Sequence, residues 1–261
     1  MREIMHRLDQ ALERGESSAL ATVIDREGSS PGKTGAKMLV LPDGSITGTV
    51  GGGKMEADVV RTAIQCIRKR RLRIVTFDMN IMNDPDTDMR CGGNMTVLIE
   101  PMIPPDPLII FGGGHVGYAI YSILKGVHFS VTVVDDRRSF ASKKRFPEAD
   151  RVLCCSFDKS FAKMKVNEDT FIVICTRAHK KDEDCLRFAL STPARYVGML
   201  GSKKKGAAFR KKMRSEGISP RRIRDLYSPI GLDIGAITPE EIAVSVAAEL
   251  VQFRAARIMG G

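Results

Sequence analysis

The chain has no tryptophan, four histidines and an aromatic content of 6%. Stacked aromatic side chains are the usual platform for single-stranded nucleic acid, and this composition gives no sign of one. The six cysteines are scattered without a C-x-x-C pair, which excludes a zinc ribbon and disfavours a disulfide framework. No stretch is long and apolar enough to span a membrane. The charged amino-terminal segment has no apolar signal-peptide core, so we expect a cytoplasmic protein with reduced thiols.

The length of 261 residues and the hydrophobic content of 43% predict roughly two domains with real cores. A proline-rich stretch, PMIPPDP, occupies residues 101–107 and predicts a stiff linker. We therefore expect a smaller α/β domain over residues 1–100 and a second domain over residues 108–261.

Residues 108–136 carry the most informative pattern. A short apolar run leads into a G-x-G-x-x-G loop formed by Gly112, Gly114 and Gly117, followed by a helix-like segment and a second β-branched run. In such loops the first glycine makes the turn, the second lets a phosphate approach the backbone, and the third lets helix and strand pack closely. Asp135 or Asp136 stands where an acid binds ribose hydroxyls. The pattern predicts a Rossmann unit, with or without a bound dinucleotide.

Strand-like and helical segments alternate from residue 108 onward, which predicts a doubly wound parallel sheet. Ligands of such sheets bind outside the carboxyl ends of the strands. By this rule we expect five residues near predicted strand ends to be candidates for binding a cofactor: His115, His179, Asp182, Ser202 and Lys203. Alternatively, the two histidines lie in solvated loops, and Ser202 and Lys203 belong to an ordinary helix start.

A second glycine loop precedes a predicted helix in the amino-terminal half. Gly51, Gly52 and Gly53 would form a cradle of backbone N–H groups for an anion, and Glu56 would face the same ligand or cap the helix. Cys91 stands before two glycines in a polar stretch, and a thiolate there suits a soft metal such as molybdenum. The other cysteines are expected to be packing residues, with Cys154, Cys155 and Cys175 on central strands and Cys66 and Cys185 on helices.

The net charge is +10, and much of it lies in residues 203–205, 210–214 and 221–224. Three interpretations fit these basic runs: a nucleic-acid surface, a solvated helix face, or a docking surface for an acidic partner or phosphate-bearing ligand. We favour the last two over nucleic acid because the runs lack neighbouring aromatic residues.

Together with the glycine loop, several further motifs occur in a fixed order: GSSPGK from Gly28, GGGKME from Gly51, CGGN from Cys91, TRAHKKD from Thr176 and SPIGLDIGA from Ser228. In this order they resemble the XdhC/CoxI family, the accessory factors of xanthine dehydrogenase and other molybdenum hydroxylases. The resemblance covers nearly the whole chain. It implies a small amino-terminal α/β domain followed by a Rossmann domain, in agreement with the predicted boundary.

The resemblance also implies a function. A family member binds molybdopterin-type cofactor, protects it while a terminal sulfur ligand is installed, and helps to insert it into the apo-hydroxylase. The implied partners are a xanthine dehydrogenase-like apo-hydroxylase, a cysteine desulfurase and a second copy of the chain. Some members carry a cysteine in the amino-terminal glycine loop where this chain has Gly53, so that role would fall to Cys91 or be absent.

An NAD(P)-dependent oxidoreductase is the second function class, because the glycine loop by itself favours it. No segment resembles a catalytic domain for a carbon substrate, so a non-enzymatic chaperone is the preferred interpretation. If a nucleotide binds, Asp135 and Asp136 favour NAD, whereas Arg137 and Arg138 would accept the 2′-phosphate of NADP.

Overall fold

The computed structural model describes residues 1–28, 32–78 and 93–259. The chain divides into two compact units, one formed by Met1–Pro104 with the last residues from Ala255, the other by Pro105–Arg254. None of the helices in the described residues is long and apolar enough to cross a membrane.

The first unit is an antiparallel sheet with a helix on each face. Its elements are α1 (Arg2–Glu13), β1 (Ser18–Gly28), β2 (Lys37–Val40), β3 (Ile46–Gly48), α2 (Gly53–Lys69), β4 (Arg73–Asp78) and β5 (Gly93–Met102). The strand order is β3-β2-β1-β5-β4, and every neighbouring pair is antiparallel.

Alternation along β1 places its side chains on both faces of this sheet, because successive residues of a strand point to opposite sides. Ala19 and Val23 are fully buried in the cluster that α2 covers. Leu20 packs in a separate cluster with Ile4 and Leu8 of α1. Apolar residues on both sides of β1 therefore require two covering helices.

The second unit is a six-stranded parallel sheet with helices on both faces. Its elements are β6 (Asp106–Phe111), α3 (His115–Leu124), β7 (Phe129–Asp135), β8 (Arg151–Cys154), α4 (Phe157–Phe161), β9 (Phe171–Ile174), α5 (His179–Ser191), β10 (Tyr196–Met199), α6 (Lys203–Ser215), α7 (Pro220–Arg224), β11 (Leu226–Tyr227) and α8 (Pro239–Met259). The order β11-β10-β9-β6-β7-β8 is that of a doubly wound sheet, with its switch point between β6 and β9. The predicted fold class is confirmed.

The central strands β9 and β10 are buried at every position, as expected of parallel strands covered on both faces. One cluster joins the sheet to α3 and α8. A second cluster joins it to α5, α6 and α7. Each fully buried aliphatic side chain contributes about 1.5–3 kcal/mol by removal from water, so these layers hold the strand ends in place.

Several local predictions need correction. Most of residues 101–107, predicted as a linker, is strand, since β5 runs to Met102 and β6 begins at Asp106. α5 begins at His179, which places Asp182 in its first turn. The short α7 and β11 were not predicted, although Ser219 followed by Pro220 is a typical helix start.

The described cysteines fall into three groups by exposure, with Cys155 and Cys175 intermediate. Cys66 and Cys185 are buried on α2 and α5, as predicted. Cys154 is exposed, so the prediction that it packs on a central strand is wrong. It ends β8, which is an edge strand of the sheet.

Candidate cofactor-binding site

The glycines of the loop between β6 and α3 differ in what surrounds them. Gly112 has a φ of +115°, and a Cβ there would lie 2.4 Å from the carbonyl oxygen of Cys175. A Cβ on Gly117 would lie 1.9 Å from the oxygen of Gly112. By contrast, a Cβ on Gly114 would meet nothing within 4 Å. The loop is therefore closed on its protein side and open at Gly114, and His115 next to it is exposed.

Asp135 at the end of β7 faces the glycine loop, but its carboxylate is fully engaged. The residue is 2% exposed. Oδ2 accepts from the backbone N–H of Gly113 at 2.9 Å and from the Arg137 guanidinium at 2.9 Å. Oδ1 accepts from the backbone N–H and Nε of Arg137 at 3.0 and 2.9 Å. Burial raises the pKa of Asp135, but the hydrogen bonds from Arg137 and Gly113 outweigh it and hold the pKa below its usual value.

Cys175 lies beneath the glycine loop at the switch point of the sheet. Its thiol donates to the carbonyl oxygen of Gly112 at 3.3 Å. Burial, reinforced by the charges of Asp182 and Asp135, raises the pKa of Cys175 to about 12. The thiol is thus protonated near neutral pH and serves as a packing group and hydrogen-bond donor.

Asp182, in the first turn of α5, forms an ion pair with Lys205 of α6. Asp182 is 2% exposed. Its carboxylate accepts from Thr176 Oγ1 at 2.6 Å and from Lys205 Nζ at 2.6 Å, which ties the start of α5 to α6. His179 is exposed, and its ring stacks on Phe209 of α6 at 4.5 Å. Asp182 consequently positions the loop, whereas His179 remains exposed beside it.

A cavity of about 520 Å³ opens beyond β10 at the carboxyl edge of the sheet. Apolar side chains and glycines form much of its wall, together with Lys203, Asp233 and Ser245. Ser202 does not line it: this residue caps α6, its Oγ accepting from the backbone N–H of Lys205 at 3.2 Å. The volume lies within the range of about 300–1,000 Å³ typical of small-molecule sites.

The wall of this cavity includes most of the SPIGLDIGA segment. Gly231 is required there, because a Cβ would lie 2.3 Å from Ser245 Oγ. That hydroxyl donates to the carbonyl oxygen of Leu232 at 2.5 Å. The SPIGLDIGA motif can be recognised in the sequence. Asp233 and Ser245 are not among the predicted site residues, because the sequence pattern does not show which residues face a cavity.

The amino-terminal unit gathers its own motifs at one end of its sheet. Gly28 pairs with Gly93 in register. A Cβ on Gly32 would lie 2.4 Å from the carbonyl oxygen of Val50 and 3.2 Å from the sulfur of Met95. The described ends of three motifs thus come together. Cys91, as well as Ser29 and Ser30, lies outside the described residues.

The second glycine loop has three successive positive φ angles, 142° at Gly51, 83° at Gly52 and 67° at Gly53. A Cβ on Gly52 or Gly53 would meet nothing within 4 Å, so this backbone is open. Glu56 Oε2 accepts from the backbone N–H of Gly52 at 3.3 Å and from that of Val50 at 3.1 Å. Glu56 therefore braces the loop, in keeping with the capping alternative.

The basic helix α6 uses some of its charges internally. Arg210 donates to the carbonyl oxygens of Leu226 at 2.7 Å and Ser228 at 3.4 Å, so the interpretation of Arg210 as part of a solvated face is corrected. Lys211 and Arg214 are exposed. Among the described residues no group of three or more histidine, cysteine, aspartate or glutamate side chains is arranged to hold a metal ion.

Comparison with known proteins assigns the family. The chain matches the model of the XdhC Rossmann domain over residues 108–250 and that of the XdhC and CoxI family over residues 11–78. The chain belongs to the XdhC/CoxI family. The resemblance predicted from its motifs is confirmed.

Three relatives show which proteins this XdhC/CoxI member is similar to in sequence. It is 33% identical over 237 residues to the uncharacterized protein YqeB of Escherichia coli, covering 90% of this chain and 43% of YqeB, so it spans less than half of that relative. It is 25% identical to a probable xanthine dehydrogenase subunit from Bacillus subtilis, covering 95% of this chain and 96% of that protein. It is 21% identical to the molybdenum cofactor insertion chaperone PaoD of Escherichia coli, with coverages of 97% and 88%.

A solved structure shares the fold. The crystal structure of a protein described as a xanthine dehydrogenase from Bacillus halodurans aligns with a TM-score of 0.55 and 25% sequence identity. The alignment covers 97% of this chain and 96% of that one.

Proposed function

We propose that this chain is an accessory factor of a xanthine dehydrogenase-type molybdenum hydroxylase. It binds molybdenum cofactor, protects it, supports its sulfuration and inserts it into the apo-enzyme. Family membership and the names of the relatives from Bacillus subtilis and Escherichia coli support the proposal. The observation that carries it is the cavity of about 520 Å³ whose wall contains the SPIGLDIGA segment.

The residues of this chain fit such a ligand. Within each unit one glycine loop has uncovered backbone, since a Cβ at Gly52 or Gly53 in the first unit, or at Gly114 in the second, would meet nothing within 4 Å. In the cavity, Lys203 offers a cation for a phosphate and Asp233 offers acceptors for the ring N–H groups of a pterin. When bound, the cofactor carries the molybdenum centre that the hydroxylase needs. The chain itself binds, orients and shields it.

Cys91 is proposed as the residue that contacts the molybdenum or its sulfur. This rests on the sequence and the family resemblance, with the register pair of Gly28 and Gly93 showing that two glycine motifs meet close to it along the chain. None of the described cysteines is an exposed residue of a glycine-rich loop: Cys175 is held under the Rossmann loop, and Cys154 ends an edge strand.

The proposed partners are the apo-hydroxylase and a cysteine desulfurase, and the chain is proposed to work as a cytoplasmic homodimer without nucleic acid. The exposed Lys211 and Arg214 on α6 are the proposed contact for an acidic surface of the hydroxylase. Charge reversal at both positions is expected to weaken capture of the apo-hydroxylase and to leave cofactor binding intact.

The test is equilibrium binding of molybdenum cofactor to the purified chain, followed by transfer to apo-hydroxylase. We expect micromolar or tighter binding, weakened by Cys91→Ala and unchanged by the control Cys154→Ala. Absence of saturable binding by the wild-type chain would contradict the proposal. Equal binding by wild type and Cys91→Ala would contradict only the role of Cys91.

An NAD(P)-dependent oxidoreductase is the second candidate, favoured by the glycine loop and its open position at Gly114. Against this alternative, Asp135 is not free to bind the ribose of a dinucleotide, because both of its oxygens are already used by Gly113 and Arg137. Steady NADH oxidation with a small carbonyl substrate, abolished by Gly114→Val, would establish this alternative.

A further inference from the structure

A basic cavity borders the glycine loop, and neither the family resemblance nor the proposed function uses it. Its volume is about 320 Å³, and it is lined by five residues that hold no carboxylate: Tyr118, Ser139, Ser142, Lys144 and Arg145. Tyr118 comes from α3, and the others come from the segment between β7 and β8. Two cations and two hydroxyl groups around one space favour an anion.

Arg145 joins this cavity to the glycine loop. Its Nε donates to the carbonyl oxygen of Gly113 at 3.2 Å, and its guanidinium also donates to that of Gly114 at 3.4 Å. The guanidinium lies over the Tyr118 ring, 4.6 Å from the centroid. Arg145 is therefore held at a fixed position beside the one glycine of the loop that is open.

The positive charge of this cavity has no counter-ion among the described residues. In the part of the chain that the structure describes, no carboxylate forms an ion pair with Arg145 or Lys144. Arg145 is half-buried, and a cation that is partly removed from water is costly unless an anion accompanies it. Ser142 Oγ accepts from the backbone N–H of Arg145 at 3.3 Å, which leaves its own proton to donate to a ligand.

The chain's own residues occupy the place beside the glycine loop where the ribose of a dinucleotide would bind. Asp135 already accepts four hydrogen bonds, two to each oxygen. The guanidinium of Arg137 stacks on Phe140 at 3.7 Å. A Cβ on Gly113 would lie 2.0 Å from the carbonyl oxygen of Phe140, so the segment after β7 lies directly against the glycine loop. A ribose would therefore find neither oxygen of Asp135 free.

We propose that this cavity binds the phosphate of a phosphomonoester and that the Rossmann unit does not hold a dinucleotide. Lys144 and Arg145 supply the charge, and Ser139 and Ser142 supply hydroxyl donors to the phosphate oxygens. Tyr118 gives a surface for the organic group, since it is 41% exposed. This assignment does not depend on the identity of the cofactor proposed above.

The test is calorimetric titration of the full chain in phosphate-free buffer with phenyl phosphate, inorganic phosphate and NAD⁺. Phenyl phosphate is expected to saturate and to bind more tightly than inorganic phosphate, while NAD⁺ gives no saturable binding. Lys144→Ala is expected to weaken phenyl phosphate binding at least tenfold and Ser142→Ala about threefold, because the lysine offers the phosphate a charged donor and the serine hydroxyl a neutral one. These variants avoid Arg145, whose contacts with the loop carbonyls also support the fold.

The matched control is Lys159→Ala, which removes one positive charge from the same unit at an exposed residue of α4 outside the cavity lining. It is expected to change the Kd less than twofold. An equal loss in Lys159→Ala and Lys144→Ala would overturn the site in favour of general charge attraction. Absence of phosphate binding, or inorganic phosphate binding as tightly as the ester, would overturn the ligand assignment. Saturable NAD⁺ binding that Asp135→Asn weakens would overturn the exclusion of the dinucleotide.

Discussion

Substitution of alanine for Gly117 tests the packing of the Rossmann loop. A Cβ at this position would lie 1.9 Å from the carbonyl oxygen and 3.0 Å from the carbonyl carbon of Gly112, and 3.2 Å from the sulfur of Cys175. The obstacle is backbone, so rotation of a side chain cannot relieve it. Gly117 lies in α3, where alanine gains about 1 kcal/mol of helix propensity over glycine.

The net effect follows from comparing these two contributions. Overpacking costs about 1–3 kcal/mol and more where the backbone must shift, so we expect Gly117→Ala to lower the free energy of unfolding by about 2 kcal/mol after the propensity gain. A domain of this size loses roughly 2–4 °C of melting temperature per kcal/mol. The expected shift is therefore about 4–8 °C, measured by thermal unfolding followed by circular dichroism.

Gly114→Ala is the matched control, because it adds the same methyl group to the same loop. Its φ is −64°, and its Cβ would meet nothing within 4 Å. Only the preference for glycine over alanine at a helix N-cap is lost, which costs less than about 1 kcal/mol. A Gly117→Ala protein that melts within 2 °C of wild type, or a Gly114→Ala protein that loses as much as Gly117→Ala, would refute the assignment of separate roles.

Three further changes have defined outcomes. Iodoacetamide at pH 7 should modify Cys154, which is exposed, and should spare Cys175 until the protein is denatured, because burial raises the pKa of that thiol to about 12; equal modification in peptide mass mapping would contradict this. Lys205→Met should lower the free energy of unfolding in urea by about 3 kcal/mol, because it leaves its partner carboxylate buried without a cation, whereas the exposed Lys204→Met should change it by less than about 0.5 kcal/mol. Asp135→Asn should destabilise the chain above about pH 4 and progressively less below it. Burial raises the pKa of Asp135 in the folded chain, but the neighbouring guanidinium and backbone N–H lower it by more, so the folded pKa lies below the unfolded one. The stabilisation by the carboxylate is therefore present above the unfolded pKa and is lost as the pH falls through the folded pKa. A gap in melting temperature that persists unchanged into acid would show that the carboxylate charge is not responsible.

The alternation of strands and helices was predictable from the sequence, and so was the Rossmann class of the second unit. These features depend on local rules: apolar periodicity, the φ angles open to glycine, and the spacing of Gly112, Gly114 and Gly117. The family was recognisable for a related reason, since motifs such as SPIGLDIGA are contiguous in the chain and need no knowledge of contacts.

Tertiary structure alone decided how the candidate residues are used. Asp135 occupies the predicted strand end, yet its oxygens accept from Gly113, 22 residues earlier in the chain, and from Arg137. Similarly, Asp182 is paired with Lys205 from another helix, so it braces the crevice. Hydrogen-bond partners that are distant in sequence leave no local pattern, and an acid at a strand end is therefore compatible with either a free or an engaged carboxylate.

The order of the strands in the sheet, which is also a feature of the tertiary structure, determined that Cys154 is exposed. Cys154 follows an apolar run like those of the central strands, but β8 lies at the sheet edge and leaves its last residue exposed. The basic cavity beside the glycine loop also needed the folded chain, because Arg145 reaches Gly113 and Gly114 only after the segment following β7 turns back. Sequence period determined which segments become strands and helices; the packing of those segments against each other determined which polar groups stay available for a ligand.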